Sequence, residues 1–217
     1  MKNGVLLTAT LLGSLLISAQ AVAGASANIG ATSNYIWRGA TQTGDEAAIS
    51  GGLDYEAANG WYAGTWTSSL GGGGQYELDI YGGYAGKTAS DVEYDVGAIH
   101  YAYPVGKVDL DFTEVYGKVG YKGVGAEIAY TVDKEDKTIK DKNDLYYSLG
   151  YEGSIKEDLG YAVKVGKYDF DGGKAGDYSH VDASLTKGEF TFGVSKRDLK
   201  GDKSPKVYVS WSKALDF

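Results

Sequence analysis

The sequence predicts an all-β transmembrane protein, an antiparallel up-and-down β-barrel of about twelve strands. Three observations point there. First, period-two alternation recurs along the chain, and no convincing period-3.6 stretch follows Asn28. Second, the connections between predicted strands alternate short and long without exception. Third, the 217 residues include 33 Gly and 19 Tyr but only 2 Pro and no Cys. That composition suits a closed, curved sheet whose backbone groups must all pair within the protein.

Composition also excludes. Without Cys there are no disulfides, thiolate metal sites or Cys nucleophiles. A formal net charge of −8 argues against nucleic acid, whose phosphates must be neutralised by Lys and Arg. No apolar run is long enough for a membrane-spanning helix, which needs about 18 residues or more. That rule leaves barrels untouched, because their signal is spread over many short strands.

Taken in order, residues 1–23 read as a signal peptide. Met1-Lys2-Asn3 is the basic start, Val5 to Ile17 the apolar run, and Ala21-Val22-Ala23 the cleavage site, with Ala25-Ser26-Ala27 a second candidate. Residues 24–217 form one barrel domain. Strands are predicted at 28–38, 47–57, 60–68, 75–87, 92–103, 112–121, 124–132, 145–154, 159–168, 177–186, 189–196 and 206–217. Typical alternations are Leu145, Tyr147, Leu149 and Tyr151 against Tyr146, Ser148, Gly150 and Glu152, and Val181, Ala183 and Leu185 against His180, Asp182 and Ser184. Strand 92–103 carries apolar residues on both faces, which predicts a bulge near Ala98. Strand 60–68 is ambiguous too, since Trp61 and Trp66 fall on opposite faces. Long connections at 39–46, 69–74, 104–111, 133–144, 169–176 and 197–205 separate short ones at 58–59, 88–91, 122–123, 155–158 and 187–188. A membrane barrel sorts its loops this way, with short turns facing the periplasm and long loops facing outside.

Aromatic residues near strand ends suit a girdle at the membrane interface: Tyr55, Trp61, Tyr121, Tyr151, Tyr161, Trp211 and Phe217. The last strand puts Val207, Val209, Trp211, Leu215 and the terminal Phe217 on one face, a pattern similar to the C-terminal signature read by the barrel assembly machinery. Lys213 departs from it, at a position where a lipid-facing Lys costs about 0–1 kcal/mol if it lies near the interface.

The segment Ser33-Asn34-Tyr35-Ile36-Trp37-Arg38-Gly39, followed by Thr41-Gln42, resembles the opening motif of the TorF-type porin-like family. Gly51-Gly52-Leu53-Asp54-Tyr55, Gly60-Trp61-Tyr62-Ala63-Gly64-Thr65-Trp66 and Glu77-Leu78-Asp79-Ile80-Tyr81-Gly82-Gly83-Tyr84 continue the likeness, which is strongest over residues 28–84. The resemblance implies an outer-membrane barrel with a pore function. It brings no catalytic residues and no substrate.

With apolar faces toward lipid, the opposite faces line a lumen. The predicted pore-lining residues are Arg38, Asp54, Glu56, Glu77, Asp79, Glu114, Lys118, Glu127, Glu152, Lys164 and Asp182, with His180 and Glu189 on the same side. This lining is net acidic and would favour cations. Arg38 opposed by Asp54 or Asp79 is the expected constriction. The expected function is passive passage of small hydrophilic solutes or ions across the outer membrane. The alternative is a non-conducting barrel with a structural or surface-adhesion role through its loops. Expected partners are outer-membrane lipid, lipopolysaccharide and, during biogenesis, the barrel assembly machinery. Loop cations are candidates for lipopolysaccharide phosphates: Lys134, Lys137, Lys140 and Lys142, and Lys196, Arg197, Lys200, Lys203 and Lys206.

No enzyme or cofactor is expected. His180, Asp182 and Ser184 share a strand face, but successive members sit roughly 7 Å apart along a strand. That spacing is too long for the direct bonds of a catalytic relay. Asp169-Phe170-Asp171-Gly172 resembles the start of a calcium loop, but no Glu follows at the needed spacing. Gly71-Gly72-Gly73-Gly74 lacks the Lys-Ser/Thr and the helix of a phosphate loop.

Overall fold

The computed structural model describes residues 23–71, 75–105, 110–135, 143–172 and 176–217. The proposed signal peptide up to residue 22, Gly72 to Gly74 of the glycine run, and Lys137, Lys140 and Lys142 lie outside the described residues. The strands are β1 (Gly24–Thr32), β2 (Ile36–Trp37), β3 (Ala40–Thr41), β4 (Ala48–Glu56), β5 (Trp61–Ser69), β6 (Tyr76–Lys87), β7 (Glu93–Ala102), β8 (Phe112–Tyr121), β9 (Val124–Lys134), β10 (Leu145–Lys156), β11 (Leu159–Asp169), β12 (Tyr178–Lys187), β13 (Phe190–Arg197) and β14 (Lys206–Asp216).

β1 and β4 to β14 close a barrel of twelve strands, each antiparallel to its neighbours, and β1 seals it by pairing with both β4 and β14. β2 and β3 form a separate two-stranded ribbon. Eleven of the twelve wall strands lie where the alternation predicts them. The exception is the first. Its ladder spans Gly24–Thr32 rather than 28–38, running from Gly24 opposite Glu56 to Thr32 opposite Ala48. Residues 33–47 leave the wall and carry the ribbon.

Burial is inverted relative to a water-soluble fold. Ile49 is 72% exposed and Leu149 53%, and Ile29, Leu53, Ile80, Ile128, Val165, Val181, Phe192 and Val209 are similarly open. The buried set includes Arg38, Glu77, Asp79, Asp95, Glu114, Asp144, His180 and Asp182. Such an apolar outer belt far exceeds what a soluble surface carries, and a lipid environment accounts for it.

Within the wall the ladders are regular. No bulge occurs near Ala98: Gly97, Ala98 and Ile99 pair in register with both neighbours. The two faces of β7 look alike in sequence because the interior has its own aromatic core, into which Tyr101 turns. The irregularities fall instead between Thr113 and Glu114 of β8 and between Ser154 and Lys156 of β10. The Gly51-Gly52 and Gly82-Gly83 pairs sit in unbroken ladders. Many wall glycines serve a different purpose, making room for a ring from the next strand. A Cβ on Gly83 would stand 2.5 Å from the Tyr62 hydroxyl, and one on Gly97 2.6 Å from the Tyr116 hydroxyl. The β8–β9 connection has two residues, Lys122 (φ 50) and Gly123 (φ 84), the left-handed pair that matches strand twist in a tight hairpin.

Candidate functional site

The interior divides into two tiers. The tier toward the long loops is filled by residues 33–47, which fold inward from the end of β1. Their neck is held by Asn34, buried, which donates to Asp45 (Nδ2 to Oδ1, 2.8 Å) and accepts from the Thr41 hydroxyl (2.7 Å). Lys206 at the start of β14 donates to Asp45 (2.5 Å). This bond, then Asn34, holds the Asp45 carboxyl below the ordinary carboxylate range.

The ribbon turns at Arg38 and Gly39, both left-handed (φ 47 and 81). Gly39 is required there on two counts. Any side chain would be strained at that φ, and a Cβ would stand 2.5 Å from the Cβ of His180 on β12. The turn projects Arg38 across the interior. Its two terminal nitrogens donate to both carboxylate oxygens of Glu114 on β8, each at 2.7 Å. The guanidinium carbon lies 4.3 Å from the Trp37 ring centre, 4.1 Å from Tyr146 and 5.1 Å from Tyr168. Glu114 is only 1% exposed. A fork-on-fork pair stacked among rings is the geometry in which a buried arginine is best compensated.

Around this pair the ribbon meets the wall through rings. Trp37 stands edge-on to Tyr101 (5.7 Å) and Tyr168 (5.9 Å), and Tyr35 edge-on to Trp66 (5.5 Å). This explains the ambiguous β5: Trp61 is exposed on the outer surface, while Trp66 turns inward to receive Tyr35. Tyr35 donates to one oxygen of Glu77 and Tyr103 to the other, each at 2.7 Å.

Arg38 therefore belongs to the ribbon rather than the wall, and its partner is Glu114, neither Asp54 nor Asp79. Asp54 lies nearer the short turns, accepting from Tyr81 (2.5 Å) and Asn28 (3.3 Å). In the same lower tier Tyr62 donates to Asp95 (2.6 Å) and meets the Tyr116 hydroxyl, and Lys118 stands 3.7 Å from Asp95. Glu56, Glu127, Glu152 and Lys164 are half-buried at inward positions of β4, β9, β10 and β11, with Lys164 opposite Asp182 in the ladder.

Two expectations about single residues are corrected. His180 and Asp182 do meet: Nδ1 lies 2.9 Å from the Asp182 carboxylate because both side chains lean together along the strand. The other ring nitrogen faces the Tyr146 hydroxyl at 3.1 Å, so Ser184 is not the third member. Glu189 is not an interior residue. It sits in the β12–β13 turn, accepting from the Trp211 indole (2.7 Å), with Lys213 at 3.3 Å. Hence Lys213 on the outer face has its own carboxylate partner at the rim. Tyr55, Trp61, Tyr121, Tyr151 and Phe217 are exposed near the short-turn end, with Tyr161 and Trp211 half-buried beside them. Among the loop cations, Lys134, Arg197 and Lys206 already pair with Asp144, Asp202 and Asp45.

Sequence reasoning missed the rings of the upper tier: Trp37, Tyr101, Tyr146 and Tyr168. The available signal was parity. Tyr146, Tyr168, Tyr178 and Tyr208 all fall on the polar face of their strands, and all are buried.

Fold and interior together define a porin-like barrel, closed by twelve strands around a charged, partly filled lumen. The chain belongs to the Gcw_chp family, described as a bacterial protein of unknown function, whose profile matches residues 18–213. No curated protein matches it. Its fold is similar to that of the KdgM porin (TM-score 0.54, 10% identity, covering 86% of this chain and 98% of that one). It is also similar to the NanC porin (TM-score 0.52, 14% identity, covering 89% and 100%). A further similar structure is the KdgM porin in complex with disordered oligogalacturonate (TM-score 0.53, 9% identity, covering 86% and 98%).

Proposed function

We propose that the protein is an outer-membrane channel for passive passage of small hydrophilic solutes, that it prefers cations, and that residues 33–47 form its constriction. The sign of the interior charge carries the reading. Glu77, Asp79, Asp95, Glu114 and Asp182 are buried inside the barrel, whereas Arg38 is the one buried Lys or Arg among the described residues. An acidic constriction admits cations and repels anions. An anionic chain such as the oligogalacturonate found with the KdgM porin is therefore a poor candidate solute here. In this reading the short turns face the periplasm, lipid and lipopolysaccharide surround the apolar belt, Phe217 serves the assembly machinery, and the lining comprises the inward residues described above.

The test is single-channel conductance of the refolded protein in a planar bilayer, with reversal potential in a KCl gradient. Discrete cation-preferring steps are expected. An inserted, heat-modifiable barrel that never conducts overturns the channel. Arg38→Ala should alter conductance or selectivity; identical traces remove Arg38 from the constriction. The tight seating of the ribbon, with Arg38 and Glu114 both buried, favours a second reading: a closed barrel whose role is structural or adhesive, through its loops.

A further inference from the structure

Asp79 stands in a row of three inward positions, Trp66 on β5, Asp79 on β6 and Tyr101 on β7, paired in register. It is 6% exposed, and its Oδ1 has no hydrogen-bond partner among the described residues. One layer toward the long loops on the same strand face is Glu77, whose two oxygens accept, among the described residues, from the hydroxyls of Tyr35 and Tyr103. Two carboxylates are thus buried together. Among the described residues no cationic side chain pairs with either one. Interior cations pair with other acids: Arg38 with Glu114, Lys118 with Asp95 and Lys134 with Asp144. A buried carboxylate without a counter-charge or a donor is costly, and proteins normally supply one.

We propose that one compact monovalent cation binds here, seated on the unpartnered Asp79 oxygen beside Glu77, in the wall row that also holds Trp66 and Tyr101. The surroundings select the charge class. Calcium and magnesium take six or more oxygen ligands and zinc about four His, Cys or carboxylate ligands, whereas no group of three or more His, Cys, Asp or Glu is arranged for a metal among the described residues. A monovalent cation is satisfied by one carboxylate, hydroxyl oxygens and aromatic faces. Tyr35 belongs to the inward ribbon, so the ribbon neck covers the site and ties occupancy to the constriction. The ion is an alkali ion or the primary ammonium of an amine solute; both bring one positive charge of similar size. The proposal rests on the channel reading and names the solute chemistry that its narrowest tier would take.

The test titrates methylammonium chloride and, separately, KCl into the refolded, detergent-solubilised protein in a tetraethylammonium buffer. The tryptophan fluorescence that includes Trp66 is recorded, with calorimetry alongside. Saturable binding is expected, weakened about tenfold or more in Asp79→Asn, which keeps the shape and removes the charge. Glu77→Gln is the second variant, should Asp79→Asn fail to give a heat-modifiable barrel. Tighter methylammonium binding assigns the site to an amine solute; tighter K⁺ binding assigns it to the alkali ion. No saturable binding of either, or isotherms unchanged by the variant, overturns the proposal. Bilayer conductance on the same preparation separates the two claims. Conductance without binding leaves the channel and removes the site; binding without conductance does the reverse.

Discussion

Gly39→Ala tests whether the inward ribbon obstructs the lumen. Gly39 is outside the barrel wall, so the substitution leaves every wall ladder intact. It adds one methyl group at a position with φ 81, 2.5 Å from the Cβ of His180. The left-handed conformation costs an alanine about 1–2 kcal/mol. The overlap adds about 1–3 kcal/mol, because the opposing atom is fixed to β12 and cannot swing aside. The sum, about 2–5 kcal/mol, is comparable to breaking a buried ion pair such as Arg38–Glu114, about 3–5 kcal/mol. At about 1.4 kcal/mol per tenfold, the seated ribbon loses roughly 30-fold to several-thousand-fold in population against an unseated one. Single-channel recording should therefore show larger or longer openings, while the heat-modifiable gel shift stays normal. Gly44→Ala is the matched control. Its φ is 64, so the backbone cost is similar, but nothing lies within 4 Å of the added atom. Conductance histograms of Gly39→Ala that superimpose on the parent, or that Gly44→Ala reproduces, would refute the plug.

Three further outcomes are expected. Because the Lys206 bond lowers the folded-state pKa of Asp45, the neck is stabilised above the ordinary Asp value of 3.8, and the gain is lost as pH falls below that value. Current noise should rise in that acid window, and Asp45→Asn should show the raised noise at neutral pH with no step on acidification. Leu149 lies on the outer face opposite Val165 and Ala126, so Leu149→Arg should cost about 2–4 kcal/mol in urea titrations of folding into lipid vesicles, and an unchanged midpoint would mean that this face does not meet lipid. The mature chain should begin at Gly24 by intact-mass measurement. A start at Asn28 would remove the pairs from Gly24–Glu56 to Ala27–Leu53 and contradict the observed seam.

Most of the wall was legible because a lipid-facing strand shows one unmixed apolar face. Val124 to Val132 and Leu145 to Tyr151 carry that pattern, and both strands lie where it places them. Reading failed where the interior is itself aromatic. On β7, Tyr101 faces in as firmly as Val96 faces out, so alternation suggested a break that does not exist. The same ambiguity hid the role of Ser33 to Gly39. Residues 33–38 read as the end of the first wall strand, but Tyr35, Ile36 and Trp37 leave the wall and pack inside the barrel. The left-handed turn at Arg38-Gly39 was the one local mark of the reversal.

Alternation, loop lengths and composition were enough to read the barrel, its twelve strands and the position of the last strand. These follow from local periodicity and composition, which the lipid environment reads residue by residue. Three-dimensional closure was needed to show that Arg38 meets Glu114, that Glu77 and Asp79 lie buried with no cationic side chain paired to them among the described residues, and that His180 reaches both Asp182 and Tyr146. Those pairings join residues as far apart as 76 positions in the chain. They depend on barrel closure and on where a ribbon folded inside it comes to rest, and neither is written in the period of any one strand.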